Sequence, residues 1–345
     1  MYKDISIDFL KHVEHYKPQV WKEIQKYLSL DSKNPYDQMI NEYPARQGKY
    51  FRPTLLIMSA RLHGAPVERC LLSAAALQVS EDWLLIHDDV EDHSTERRHK
   101  PSLNKMFGEE LAINAGDALH IIMWKILRDN IKFLGNNIGF KVFDKMQQTL
   151  LTTTEGQYLE LSWIKNNIIE IKEYQYFEMA IKKTAGYTTV APAQIGAIIA
   201  EKGSKQNLDK INEWALPFGL AFQIYDDVMN LIESSKSQGK ESAGDILEGK
   251  RTIILCHLLS KCSSEEKQMV NTIYSKSREQ KTESEKKFIL DLMNKYESIE
   301  YAADIAKKYS GQALDLFNKY SKDFPNSESK QAIEQAIQFV VNRKK

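Results

Sequence analysis

Cysteine is scarce in this sequence: Cys70, Cys256 and Cys262 are the only three in 345 residues. Three thiols cannot build a disulfide framework, and without a CxxC pair they offer no thiolate zinc site. They read as buried thiols in a reducing compartment. Proline and glycine are also few, 9 and 15, so little interrupts a helix. Net charge is missing too. Lys plus Arg and Asp plus Glu each number 47, and a chain with no basic excess lacks the footprint of a nucleic-acid binder. No apolar run approaches the roughly 18–20 residues of a membrane span. The opening MYKDISIDFLKHVEHYK is too charged for a signal-peptide core. The expectation is a cytoplasmic protein without stable membrane insertion, whose charged chemistry comes from local clusters.

What is present is helical periodicity, nearly everywhere, with little two-residue alternation. Helices are expected near 7–28, 51–63, 67–92, 109–134, 137–163, 168–185, 188–202, 206–232, 251–260, 264–275, 280–296, 298–320 and 327–342. Gly64-Ala65-Pro66, Lys100-Pro101-Ser102 and Gly135-Asn136-Asn137 mark breaks, with Ser102 placed to cap a helix. The longest polar gap, Glu233 to Lys250, is expected to be a mobile loop and a lid. The lysine- and glutamate-rich stretch 261–287 suits exposed helices. The economical fold is a single all-α domain over residues 1–345. Residues 1–40 would form an N-terminal helical extension and 321–345 a C-terminal helix. Arg343-Lys344-Lys345 reads as a solvated end.

Two acidic clusters stand out. His87-Asp88-Asp89-Val90-Glu91-Asp92 closes a strongly apolar helix, and Asp88 and Asp92, four apart, share one face. Like charges there repel unless a cation is bound, and carboxylate oxygens suit magnesium. On the apolar helix around 214–232, Gln223, Asp226, Asp227 and Asn230 fall at i, i+3, i+4 and i+7. That polar stripe faces solvent or a polar cavity. Either cluster alone is most simply a solvated helix end. Both, however, are followed by cations: Arg97-Arg98 after the first, Lys240 and Lys250-Arg251 after the second. Lys49 and Arg52 add a third basic pair. Carboxylates flanked by clustered cations suit a magnesium-bridged diphosphate.

These blocks, in order, resemble the trans-isoprenyl diphosphate synthases, the farnesyl and geranylgeranyl diphosphate synthase family. They are GKYFRP (48–53), LLIHDDVED (84–92), ERRHKP (96–101), GQYLEL (156–161), KKTAGY (182–187), FQIYDDVMN (222–230) and GKESAGDILEGKRT (239–252). The resemblance spans about residues 40–320. It implies an antiparallel helical bundle of the isoprenoid synthase type around a central cavity, and a homodimer. It implies that Asp88, Asp89, Asp92, Asp226 and Asp227 hold magnesium, three ions per site with substrate bound. Arg97, Lys183, Lys240 and Lys250 would clamp the allylic diphosphate. Lys49, Arg52 and Arg98 would bind isopentenyl diphosphate, and Thr184 and Gln223 would line the reacting carbons. The released diphosphate can take the proton lost, so no side-chain base is required and none of the histidines is nominated.

Four positions depart from the family pattern. His99 stands where Gly is usual, Asn104 where His is usual, Glu81 where His or Gln is usual, and Asn230 where Asp is usual. Glu81 would repel a diphosphate unless Lys49 or Arg52 neutralises it. In this family the residues four and five before the first aspartate floor the product cavity; here they are Leu84 and Trp83. An aromatic there, with no two-residue insertion in the first motif, favours a C20 product over C15 or longer. Trp83 could equally be a packing residue. A class I terpene cyclase and a silent partner subunit are the rival readings. The first has no use for a second diphosphate site at Lys49 and Arg52. The second is expected to lose aspartates that this chain keeps.

Overall fold

The computed structural model describes residues 5–232 and 243–342. The helices run α1 Ile5–Gln25, α2 Pro35–Arg46, α3 Phe51–Leu62, α4 Leu71–Glu91, α5 Leu103–Phe107, α6 Glu109–Leu134, α7 Asn136–Lys165, α8 Glu173–Ala180 and α9 Ala191–Ile199. They continue with α10 Lys205–Ile232, α11 Gly244–Glu248, α12 Ile253–Lys261, α13 Ser264–Tyr274, α14 Glu283–Lys295, α15 Ser298–Tyr320 and α16 Glu328–Asn342. The all-α class holds. Among the described residues the one sheet is a two-residue hairpin, β1 Glu96–Arg97 paired antiparallel with β2 Lys100–Pro101. Arg98 and His99 form its turn with φ of 53° and 62°, the left-handed pair that tight hairpins need.

Two apolar clusters share one long helix. Leu55, Leu77, Met123, Ile195 and Phe218 belong to one. Leu220, Ile224, Leu255, Ile289 and Ala306 belong to the other. α10 feeds both, so the halves are one continuous packing. α1 is part of it: Phe9, Tyr16, Val20 and Ile24 are buried along one stripe, the 3.6-residue period of a core-facing helix. The N-terminal helix thus packs into the same core.

Several boundaries move for local reasons. The expected helices leave 29–50 unassigned. Pro35 instead begins α2, where its missing N–H costs nothing, and the Asn34 side chain caps the Tyr36 N–H at 3.1 Å. Ser102 does not cap α5; its hydroxyl donates to the Ser94 carbonyl at 2.6 Å. The break expected near residue 186 is absent. α8 passes into a π-helical segment, Ile181–Val190, and on into α9. α7 touches that segment backbone to backbone: a Cβ on Gly156 would lie 2.2 Å from the Lys183 nitrogen.

The polar gap also changes. Residues 233–242, Lys240 among them, lie outside the described residues. From Ala243 onward the chain is packed, not loose. Ala243, Ile246 and Leu247 are buried. The Ala243 N–H donates to the Asn230 carbonyl at 2.8 Å, and the Asp245 N–H to Asn230 Oδ1 at 3.1 Å. In this structure 243–250 is thus docked on the end of α10.

Candidate active site

α4 presents its carboxylates at its C-terminal turn, where the helix dipole disfavours negative charge. Each is answered differently. Asp89 is 1% exposed and turned inward. Arg97 Nε donates to its two oxygens at 2.9 and 3.1 Å, Arg97 Nη2 also bonds it, and so does the Tyr43 hydroxyl. Asp88 lies 3.4 Å from Arg97 Nη2 and 3.6 Å from Lys183 Nζ. Asp92 lies 3.0 Å from Lys250 Nζ. Burial pushes the Asp92 carboxyl up to about 8, against the pull of Lys250. Its buried Oδ2 is the oxygen that faces Lys250.

α10 repeats the division of labour. Asp226 is exposed, while Asp227 is buried and accepts from the Tyr176 hydroxyl and from Gln223 Nε2, each at 2.7 Å. Burial, with Asp245 next, raises the Asp227 carboxyl well above its ordinary value. Thr184, on the π segment, donates to Gln223 Oε1. A relay thus runs Thr184–Gln223–Asp227–Tyr176, fixing the amide of Gln223 so that its oxygen faces Thr184.

Two lysines tie the acidic end of α4 to neighbouring elements. Lys183 pairs with buried Glu160 and reaches Asp88. Burial is the largest effect on its ammonium and opposes the charge, but Glu160 and Asp88 outweigh it and raise the pKa. Lys250 sits 3.0 Å from Asp92 on α4, 2.8 Å from Glu248 and 3.7 Å from Asp245 on α11. Arg278 pairs with Glu248 at 3.1 Å. Asp92, Arg97, Asn230, Asp245, Lys250 and Arg278 line one polar cleft.

A second basic pocket lies higher on α4. Arg52 stacks on the Tyr187 ring at 4.7 Å and donates to Thr188 Oγ1 at 2.9 Å. Glu81 stands 3.3 Å from Arg52 Nη1 and 4.0 Å from Arg98 Nη2, so both arginines neutralise it. Arg98 also meets Asp82 at 2.8 Å. Lys49 is exposed on the loop before α3. Arg52 Nε and Arg98 Nη2 are buried without hydrogen bonds among the described residues.

The other departures have structural reasons. Asn104 donates to the carbonyls of Asp89 and Ser94 at 3.3 and 3.2 Å, bracing the turn after α4. Asn230 anchors α11. His99 occupies a left-handed turn position where Gly would be unstrained. Trp83 is 6% exposed, its ring 4.6 Å from that of His120 on α6. Leu84, partly buried, is on the neighbouring stripe. Sequence reasoning missed Tyr43, Tyr176, Glu160, Asp245 and Arg278. Glu160 and Asp245 sit inside quoted motifs; the tyrosines lie in no motif and are found only by packing.

Among the described residues no three carboxylates, histidines or cysteines converge to hold a metal by themselves. The donor set nevertheless fits magnesium. That ion takes one or two carboxylates and completes its shell with water and phosphate oxygens, and Asp88 and Asp92 offer two carboxylates at the mouth of the cleft, engaged here by ammonium and guanidinium groups.

The sequence model described as polyprenyl synthetase matches residues 33–293. The chain is 32% identical to a geranylgeranyl diphosphate synthase of Sulfolobus acidocaldarius, covering 93% of this chain and 94% of that one. A solved geranylgeranyl pyrophosphate synthetase of Pyrococcus horikoshii superposes with TM-score 0.84 at 27% identity, over 97% and 98% of the two chains. A Caulobacter crescentus polyprenyl synthase shares the fold, with TM-score 0.86 at 23% identity over 99% and 98%.

Proposed function

The chain belongs to the polyprenyl synthetase family and is an isoprenyl diphosphate synthase; from that premise we propose that it adds isopentenyl diphosphate to allylic diphosphates and stops at geranylgeranyl diphosphate, C20. The observation that carries the proposal is the acidic end of α4 ringed by Arg97, Lys183 and Lys250, with a second acidic pair on α10 and a separate basic cluster at Arg52 and Arg98. One site suits the leaving diphosphate and the other the nucleophile's diphosphate. A cyclase needs only the first.

In this reading Asp88 and Asp92 on α4 and Asp226 on α10 hold magnesium, with Asp227 held for support by Tyr176 and Gln223. Asp89, committed to Arg97, positions that arginine. Three ions per site are part of the proposal. Bound magnesium would neutralise the diphosphate as it leaves. Arg97, Lys183, Lys240 and Lys250 supply fixed positive charge to the same oxygens. The Gln223 amide oxygen and the Thr184 hydroxyl present negative dipole ends to the allylic cation, preorganised by their mutual hydrogen bond. Lys49, Arg52 and Arg98 hold isopentenyl diphosphate with its double bond toward that cation, and the departing diphosphate takes the proton.

The C20 limit rests on Trp83 and Leu84 and on the similarity to synthases of that product. Homodimerisation through α6 and α7 belongs to the same reading. Ile113, Ile121, Phe140, Leu151 and Tyr158 are exposed there, an apolar stripe that a second copy would cover. Purified protein with magnesium, isopentenyl diphosphate and, separately, C5, C10 and C15 allylic diphosphates is expected to yield C20 diphosphate by mass. A shorter or longer dominant product overturns the length; no condensation with any primer overturns the activity.

A further inference from the structure

The isopentenyl pocket carries a charge problem. Its two arginines are already matched: Arg52 by Glu81 and Arg98 by Asp82, with Glu81 near both. The exposed Lys49 is left to answer an incoming diphosphate of at least two negative charges. A fourth cation stands beside them on a different element. Lys17 of α1 lies one position beyond the buried stripe that includes Tyr16 and Val20. Its Nζ donates to the Gly48 carbonyl at 3.2 Å and lies 5.4 Å from the centre of the Tyr50 ring. Gly48 is also where Arg98 arrives: a Cβ there would sit 2.7 Å from Arg98 Nη2. Lys17 and Arg98 thus converge on the loop that carries Lys49. The hydrogen bond Lys17 makes goes to a neutral carbonyl. Burial, and then Arg98, lowers its pKa, the mark of a cation without a carboxylate to offset it. With Lys17 the pocket holds four cations against two carboxylates; without it, three against two.

Resting on the reading of this pocket as the isopentenyl diphosphate site, we infer that Lys17 is a diphosphate-binding residue there, supplying the positive charge that Glu81 withdraws. The first helix is then part of the substrate site as well as of the core. Glu81 in place of a neutral side chain is tolerated because Lys17 compensates it.

The test is a double-mutant cycle on the full-length enzyme. Lys17→Met is expected to raise KM for isopentenyl diphosphate at least about tenfold, the scale of one charge-assisted hydrogen bond, with KM for the allylic primer and the thermal midpoint unchanged. Lys17→Arg is expected to retain most of the affinity. Lys17→Met/Glu81→Gln is expected to recover it, because removing the carboxylate removes the need for the extra cation. An unchanged isopentenyl KM in Lys17→Met overturns the inference. So does a rise accompanied by a lower thermal midpoint and no rescue by Glu81→Gln, which makes Lys17 a helix-docking residue. Arg52→Met separates the premise from the inference. A raised isopentenyl KM in that variant, with none in Lys17→Met, sinks Lys17 alone. No change in Arg52→Met sinks the site and the inference together.

Discussion

At the residue scale the adjacent aspartates of each motif are not equivalent. Asp88 meets Lys183 of the π segment and only the edge of Arg97, while Asp89 is sealed against Arg97 and Tyr43. Asp89→Ala is expected to cost roughly 3–5 kcal/mol of stability, because it strands a buried guanidinium. Asp88→Asn is expected to leave urea unfolding nearly unchanged while lowering turnover at least about a hundredfold. Similar losses of stability in both would erase the distinction. Asp82 offers a pH signature. Burial, partly opposed by Arg98, lifts its carboxyl from 3.8 to about 6. Between those values the unfolded chain releases the proton and the folded one keeps it, so stability falls as pH rises. Relative to Asp82→Asn, the wild type is expected to lose about 2 kcal/mol from pH 4 to 6.5, measured by urea unfolding at each pH. A constant difference would place the titration elsewhere.

At the element scale the sequence revealed the long helices and the motif-bearing turns, because apolar period and charged clusters are local signals. It did not reveal the π segment. Ile181–Val190 keeps its wide turn because α7 presses against it at Gly156, a tertiary cause that periodicity cannot carry. The same holds for α11, whose polar composition reads as a loop until Asn230 takes the N–H groups of Ala243 and Asp245 at its start. Of the site, the aspartates and basic residues were legible; their partners Tyr43, Tyr176 and Glu160 were not. The α4–α6 contact bears on product length. Trp83 rests on His120, which accepts a hydrogen bond from Trp124 Nε1 at 2.8 Å. Trp83→Ala is expected to shift products beyond C20 and to cost about 3–5 kcal/mol in stability. An unchanged product profile by mass spectrometry would remove Trp83 as the floor.

At the scale of the whole molecule the α6–α7 face should decide assembly. Ile121 and Leu151, at similar distances from the Gly135 turn, are 69% and 64% exposed. Ile121→Asp/Leu151→Asp is expected to convert a sedimenting dimer into a monomer; a wild type that already sediments as a monomer would refute the face. The cleft itself is a set of internal ion pairs spread over α4, α7, the π segment and α11. Lys250 is held by three carboxylates and Lys183 by two, so with no ligand bound both ammonium groups are already engaged by acidic side chains. Under the magnesium reading that occupancy predicts a dependence. A bare diphosphate would have to compete with these carboxylates for the lysines, whereas a divalent ion held by Asp88 and Asp92 would free Lys183 and Lys250 for phosphate oxygens. Affinity for the allylic diphosphate is then expected to fall when the metal is removed, as binding measured with and without chelator would show.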